Sequence, residues 1–495
     1  MMVAGRRGNV MTAHADVHVA EHPARSIEVM LKTIGVPLAI AVAAAIWFSP
    51  TPDNLSLQGH KALALFGGIF VLYLTEAIPL AIASLLVVPA AVLFGITNVR
   101  TALEGFAASP VYLIVGAFIL ATAMVKTRLA ERITYLILSR IGSAPSRITF
   151  GVTLVNIVLA FLVPSSTART AILLPECLGI LSLFGCGTRS PFAINLLLTL
   201  TMTNATIGAG VLTATVPNPV TVEFVAKATG HTITYAEWLT FGFPPALVMT
   251  LFAWWFIQRV FKPEFSAGLD KVDETIRENL ARMGATSAAE WRALSVFIAV
   301  TLLWATQGIT GLDTTVVCLL GACLLFLPRF GVMDWNDANK GVSWQVLLVA
   351  GGGVSLGDIL MKTGAANWLA GTIFHALGLA GTSTLVVIIV VMLIVQFMHV
   401  IFVGTTAMAT ALLPIILAMA ATAGIPPVAL ALPAGMIIGG YPLLMFYNTL
   451  PSILVYGTGK LRVEDFPKVG IVICIVACLL YAACAATWWQ WLGLF

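Results

Sequence analysis

Charge is what this chain has least of. Lysine, arginine, aspartate and glutamate make up 10% of its 495 residues, against 59% hydrophobic ones. Soluble domains carry about 25% charged residues, so a water-soluble fold is excluded. The 26 basic and 22 acidic residues leave a net charge of +4 and no concentrated basic stripe, which excludes a nucleic-acid binder. Cysteine is scarce as well. Cys177, Cys186, Cys318, Cys323, Cys474, Cys478 and Cys484 sit in or beside apolar segments, as small packing residues rather than disulfides or metal ligands. Residues 1–32 lack a sustained apolar run and read as a disordered cytoplasmic leader rather than a cleaved signal.

What the chain does have is apolar runs near the roughly 20 residues that cross a bilayer core. Spans are expected near 33–49, 61–74, 77–95, 109–126, 191–228, 236–261, 292–309, 313–328, 343–362, 427–458 and 468–494. Two further stretches, 147–185 and 383–422, are interrupted at their centres by small and polar residues. Each is either a kinked span or a re-entrant hairpin, since irregular backbone at membrane depth is tolerated where it lines a protected cavity. Hairpins that do not cross put Arg128, Arg132, Arg140, Arg147, Arg189, Arg259, Lys262 and most later basic residues inside. Only Lys61, Arg100, Lys227 and Lys362 then lie outside. That bias selects hairpins, with the N-terminus cytoplasmic and the C-terminus outside the cell membrane.

The chain also repeats. "VPSSTARTAILLP" (163–175) resembles "FVGTTAMATALLP" (402–414) at an offset of 239, and Lys126-Thr127 resembles Lys362-Thr363 at 236. "TEAIP" (75–79) falls over "TQGIT" (306–310) at 231. The expected fold is therefore all-α and polytopic. An extra helix (33–60) precedes a first repeat (61–261) holding hairpin 147–185. A cytoplasmic linker (262–291) then leads to a second repeat (292–495) holding hairpin 383–422. Five crossings per repeat invert the second copy, so one hairpin opens to the cytoplasm and the other to the outside.

Hairpin tips leave helix-terminal amides and carbonyls without intrahelical partners; amides attract an anion, while carbonyls and hydroxyls coordinate a small cation. Arg169, two residues past Thr167, is a countercharge for an anionic substrate, because arginine at membrane depth costs at least about 2.5 kcal/mol and does not shed its proton. The repeat has Met408 in its place. Breaks at "GAGVLTATVPNP" (208–219) and "FYNTLPSILVYG" (446–457) offer further carbonyls, outlining two cation pockets around one anion. A membrane hydrolase with Ser165 or Ser166 as nucleophile is disfavoured, because neither hairpin places a base beside the serine. Asp358 is expected to be buried with a partner, His399 to be a hydrogen-bonded core histidine, and Trp488, Trp489 and Trp491 to anchor the interface.

From "TEAIP" (75–79), "PSSTARTAILLP" (164–175), "GTTAMATALLP" (404–414), "TVPN" (215–218) and "VEDFPKVG" (463–470), the sequence resembles the divalent anion/sodium symporter family. The resemblance implies a dimerising scaffold, a mobile transport domain working as an elevator, and a small divalent organic anion such as succinate, malate or citrate as substrate. It places Ser165, Ser166, Thr167, Arg169, Thr215, Thr405 and Thr406 on substrate. Ser165, Ser166, Gly210 and Asn218 would hold a first sodium ion, and Gly404, Thr405, Asn448 and Thr449 a second. The family's asparagine is missing from both tips, and the arginine resembles the branch that exchanges dicarboxylates without sodium. Sodium symport is the first expectation and exchange the alternative, with an inorganic dianion such as sulfate behind both. No enzyme activity and no cofactor beyond sodium as coupling ion are expected.

Overall fold

The computed structural model describes residues 23–187, 189–263 and 269–493. Among the described residues every regular element is a helix. After α1 (Pro23–Phe48), the elements fall into two rows of the same order. The first row runs α2 (Leu57–Thr75), α3 (Leu80–Leu93), α4 (Val99–Leu103), α5 (Ser109–Lys126), α6 (Leu129–Ile141), α7 (Pro145–Leu162), α8 (Ser166–Leu183), α9 (Pro191–Gly208), α10 (Pro217–Thr229) and α11 (Tyr235–Val260). α12 (Leu269–Arg282) joins the rows. The second runs α13 (Ala288–Ala305) with a one-turn extension α14 (Gln307–Thr310), then α15 (Thr314–Leu324), α16 (Trp335–Gly341), α17 (Trp344–Lys362), α18 (Ala365–Ala376), α19 (Thr384–Met398), α20 (Thr405–Ala423), α21 (Pro427–Gly440), α22 (Leu450–Tyr456) and α23 (Asp465–Ala486), closed by α24 (Trp488–Trp491). Among the described residues, eight helical stretches are long and apolar enough to cross a membrane, Val99–Lys126 and Asp465–Trp491 each joining two of these helices.

Packing repeats as the order does. α3 lies on α17 and its counterpart α15 lies on α5; α8 meets α22 and α20 meets α10; α9 packs on α11 and α21 on α23. The same pairing appears in charge. Lys126 at the end of α5 grips Asp337 of α16 and holds its carboxyl below the usual range. Lys362 at the end of α17 reaches Glu104 after α4 at 2.6 Å. Contacts of this kind, exchanged between equivalent elements, fit a duplicated unit whose copies bury one continuous apolar core.

Several boundaries differ from the expected ones. Most of the expected leader, residues 1–22, lies outside the described residues. Pro23–Lys32 is helical, continuous with the first span, and proline at a helix's first position costs no hydrogen bond. The second span starts at Leu57 rather than residue 61, because the Ser56 hydroxyl accepts from the Gly59 amide at 2.9 Å and caps it. The linker is itself helical over α12. The second break falls at 441–449 instead of 446–457. Pro442 has no amide to continue α21, and Thr449 caps α22 by accepting from the Ser452 amide. Trp489 is no interfacial anchor: it is fully buried and donates to the Phe241 carbonyl at 3.0 Å. Trp491 is exposed.

One buried ion pair ties the linker to both rows. Arg132 of α6 donates to Glu290 of α13 at 2.5 Å and to the carbonyls of Gly284 at 2.8 Å and Met283 at 3.2 Å. Breaking such a pair strands a buried charge, so Glu290→Ala should cost about 3 kcal/mol or more. Arg282→Ala removes an exposed pair with Glu278 and should cost under about 1 kcal/mol. Unfolding of the detergent-solubilised variants followed by denaturant titration checks both.

Candidate functional site

Each central interruption leaves a new helix starting inside the protein. α7 ends at Leu162 and α8 begins at Ser166, with the Ser165 hydroxyl accepting from the Ala168 amide at 3.2 Å. α19 ends at Met398 and α20 begins at Thr405, with Gly404 as its cap residue and no side-chain cap bond. The first residues of α8 and α20 line one cavity. With Ser166 and Thr405 stand Arg169, Asn204, Ala205, Gly208, Thr215, Gly439, Pro442, Thr449 and Pro451. Two helix N-termini, each with amides lacking intrahelical acceptors and a positive dipole end, thus converge on the same space.

Arg169 is fully buried. Its Nε donates to Asn204 Oδ1 at 2.6 Å, one Nη to the carbonyls of Val163 at 2.9 Å and Ala214 at 3.3 Å, and the other to the Asn204 carbonyl at 3.4 Å. All these acceptors are neutral. Among the described residues Arg169 has no ion pair, whereas the other arginine buried beside it in sequence terms, Arg132, has Glu290. The guanidinium is therefore held in place without its charge being cancelled. An uncompensated buried cation is expensive; an anion in the adjoining cavity would supply the missing charge.

Asn204 is the residue that sequence reasoning missed. Its amide donates to the Ser166 carbonyl and to Thr170 Oγ1, both at 2.8 Å, while its oxygen takes the Arg169 Nε–H. One neutral side chain thus ties α9 to the start of α8 and holds the arginine. The signal was an amide in the apolar run "TMTNATIG" (201–208), where buried polar side chains need partners.

The other expected residues divide. Ser166, Arg169, Thr215, Thr405 and Thr449 share the cavity, while Ser165, Thr167, Thr406, Gly404, Gly210, Asn218 and Asn448 do not line it. Gly210 lets α9 approach α11, since a side chain there would meet Ala246 and Phe243. Asn218 donates to the carbonyls of Gly208 at 2.8 Å and Val211 at 2.9 Å, satisfying acceptors freed by the break. Asn448 does the same in the second row, donating to His399 and, at 3.3 Å, Phe402, and accepting from the Met445 amide at 2.8 Å. Asp358 has its partner: Lys227 donates to both carboxylate oxygens, at 2.8 and 2.7 Å. His399 is buried with its ring nitrogens beside the carbonyls of Gln396 and Ile438 at 3.1 and 3.2 Å. Glu176 accepts from the Tyr135 hydroxyl at 2.7 Å.

The family model for the sodium:sulfate symporter transmembrane region matches residues 31–495. The chain belongs to that family. It is accordingly an integral membrane transporter and not an enzyme. It is 30% identical over 477 residues, 93% of each chain, to a membrane protein of Cupriavidus necator. It is 28% identical to the sodium-dependent dicarboxylate transporter SdcS of Staphylococcus saprophyticus, covering 85% of this chain and 84% of that one. It is also 25% identical to the citrate/succinate antiporter of Escherichia coli K12, covering 88% and 94%. In fold it is similar to the Neisseria gonorrhoeae MtrF structure, with a TM-score of 0.57 at 14% identity over 93% of this chain and 94% of that one.

Asn204→Asp keeps the shape of the arginine's anchor and adds the missing countercharge. The variant gives up the amide's two donated hydrogen bonds, to the Ser166 carbonyl and Thr170 Oγ1, and should lose affinity for dianions by about tenfold or more, the effect of a close opposing charge worth about 1.5 kcal/mol or more. Calorimetric titration with succinate and with sulfate checks it.

Proposed function

We propose that this transporter carries small dicarboxylates such as succinate or malate across the cell membrane, one carboxylate resting on Arg169 and the N-terminus of α8, the other on Thr405 and the N-terminus of α20. The single observation behind this reading is the buried guanidinium whose hydrogen-bond partners are all neutral, set beside two convergent helix starts. The relatives named for dicarboxylate and citrate/succinate transport support the substrate class. Serine and threonine hydroxyls complete the pocket without adding a permanent charge.

Coupling by exchange is the reading the geometry favours over sodium symport. Arg169 donates to a carbonyl of the first tip, Val163, and to one of the first break, Ala214, the two places from which a first sodium ion would draw its oxygens. A sodium ion about 4 Å from the guanidinium would meet about 4 kcal/mol of repulsion at an effective dielectric near 20. At the second tip, Asn448 already donates to the carbonyls of His399 and Phe402. A guanidinium, unlike a sodium ion, cannot leave when the substrate does. The empty carrier would have to move a bare buried charge, so it waits for another dianion, and exchange follows.

The motion is read from packing. α7–α11 and α19–α23 would form the moving body, with both hairpins re-entrant, one from each face, and the second copy inverted. α17 presents it with Gly353 and Gly357, where side chains would strike Thr410 of α20 and Phe224 of α10. Gly351 and Gly352 of the same helix meet Phe106 and Ser84 instead. A helix so stripped of side chains allows one body to slide as an elevator past another, held in a homodimer by the fixed part.

Proteoliposomes loaded with unlabelled succinate should take up labelled succinate at the same rate in sodium and in choline, and far more slowly when loaded with buffer alone. Strict sodium dependence with no stimulation by internal succinate would select symport. Arg169→Ala should abolish both modes, since truncating a buried charge partner costs about 2–5 kcal/mol, a loss of about thirtyfold or more.

A further inference from the structure

A glycine inside a protein ordinarily answers one of two needs: a backbone conformation that other residues avoid, or a neighbour packed too close for a side chain. Among the described residues every buried glycine but one answers the second. At Gly210, Gly242, Gly353, Gly439 and Gly440, as at the other buried positions, a Cβ would come within 3.0 Å of another atom. Gly208 is the exception. It is buried at the end of α9, and its φ is not positive. Beyond its own helix, a Cβ there would have Arg169 Nη2 at 3.7 Å and the Thr215 side chain at 3.9 Å as nearest neighbours, ordinary contact distances that displace nothing. Neither conformation nor packing asks for glycine at this place, and alanine is the better helix former.

What Gly208 does border is the substrate cavity, on the wall that α9 builds with Asn204 and Ala205. The missing side chain leaves space against the guanidinium. The second row offers no equal to it. At the end of α21, a side chain on Gly439 would strike Asn218, and one on Gly440 would strike Ala209. The spare room therefore lies at the arginine end of the cavity alone. If one carboxylate of a dicarboxylate rests on Arg169, the reading on which this inference depends, that room faces the carbon next to it. We propose that Gly208 is a specificity-determining residue: it admits a hydroxyl- or methyl-sized substituent on that carbon, so that the carrier takes 2-hydroxydicarboxylates of the malate type on equal terms with succinate. A carboxylate oxygen bonded to a guanidinium nitrogen lies about 2.8 Å from it. An alanine carbon at 3.7 Å from Nη2 leaves that bond in place and competes with the substituent for the gap.

Calorimetric titration of the full chain in detergent tests this, with succinate, 2-methylsuccinate and each enantiomer of malate as ligands. The parent should bind succinate and the better-fitting malate enantiomer with similar affinity. Gly208→Ala should keep succinate within a few-fold of the parent while weakening malate and 2-methylsuccinate by about tenfold or more, the discrimination one carbon makes in a close-fitting pocket. Because no neighbour has to move, the variant should unfold at no lower denaturant concentration than the parent. Equal loss of succinate and malate in the variant, or no loss of either, overturns the role of Gly208 and leaves the dicarboxylate reading standing. Binding of neither ligand by the parent overturns that reading and this inference with it. One arm needs no substitution at all: malate bound about tenfold or more weakly than succinate by the unaltered protein means that the room is not there, and overturns the proposal whether or not the variant folds.

Discussion

A buried arginine with no ion pair among the described residues is the constraint on which the reading of this structure depends. The surroundings of Arg169 hold it without neutralising it: Asn204 offers an amide oxygen, and Val163 and Ala214 offer backbone carbonyls released by a hairpin tip and a helix break. The contrast with Arg132 is instructive, because that guanidinium, also largely buried, is paired with Glu290 and ties three elements together. One arginine is paired with a carboxylate, the other is held by neutral acceptors.

The backbone breaks that surround the arginine follow from the same economy of polar groups in lipid. An interrupted helix releases donors and acceptors that must be satisfied internally. Asn218, just after the first break, satisfies carbonyls of that break, and Asn448, within the second, satisfies carbonyls of the interruption between α19 and α20. The first residues of α8 and α20, Ser166 and Thr405, face the cavity together with Arg169 and Asn204.

Much of this was legible in the sequence. Apolar runs and the hydroxyl-rich interruptions identified most of the helices and five of the residues that meet in the cavity. Tertiary partners were not legible: Asp358 finds Lys227 from 131 residues away, and Asn204 reaches the tip across 35 residues. Neither pairing leaves a local pattern. For Asn218 and Asn448, expected as cation ligands, the pattern could not say which end of the amide meets a carbonyl: both turn their nitrogens to carbonyls, and the Asn218 oxygen is left without a partner among the described residues. Trp489 looked like an interfacial anchor because tryptophans cluster at chain ends near membranes, but its indole N–H is used by Phe241 inside the fold. Boundaries moved by a few residues wherever a cap such as Ser56 or a proline such as Pro442 overrode hydropathy.

The most direct test of the account is an experimental structure determined in lipid with succinate bound. It should place one carboxylate within hydrogen-bonding distance of the Arg169 guanidinium, with the ligand lying between Ser166 and Thr405. Succinate bound elsewhere, or a protein carboxylate paired with Arg169 in the substrate-free state, would contradict it.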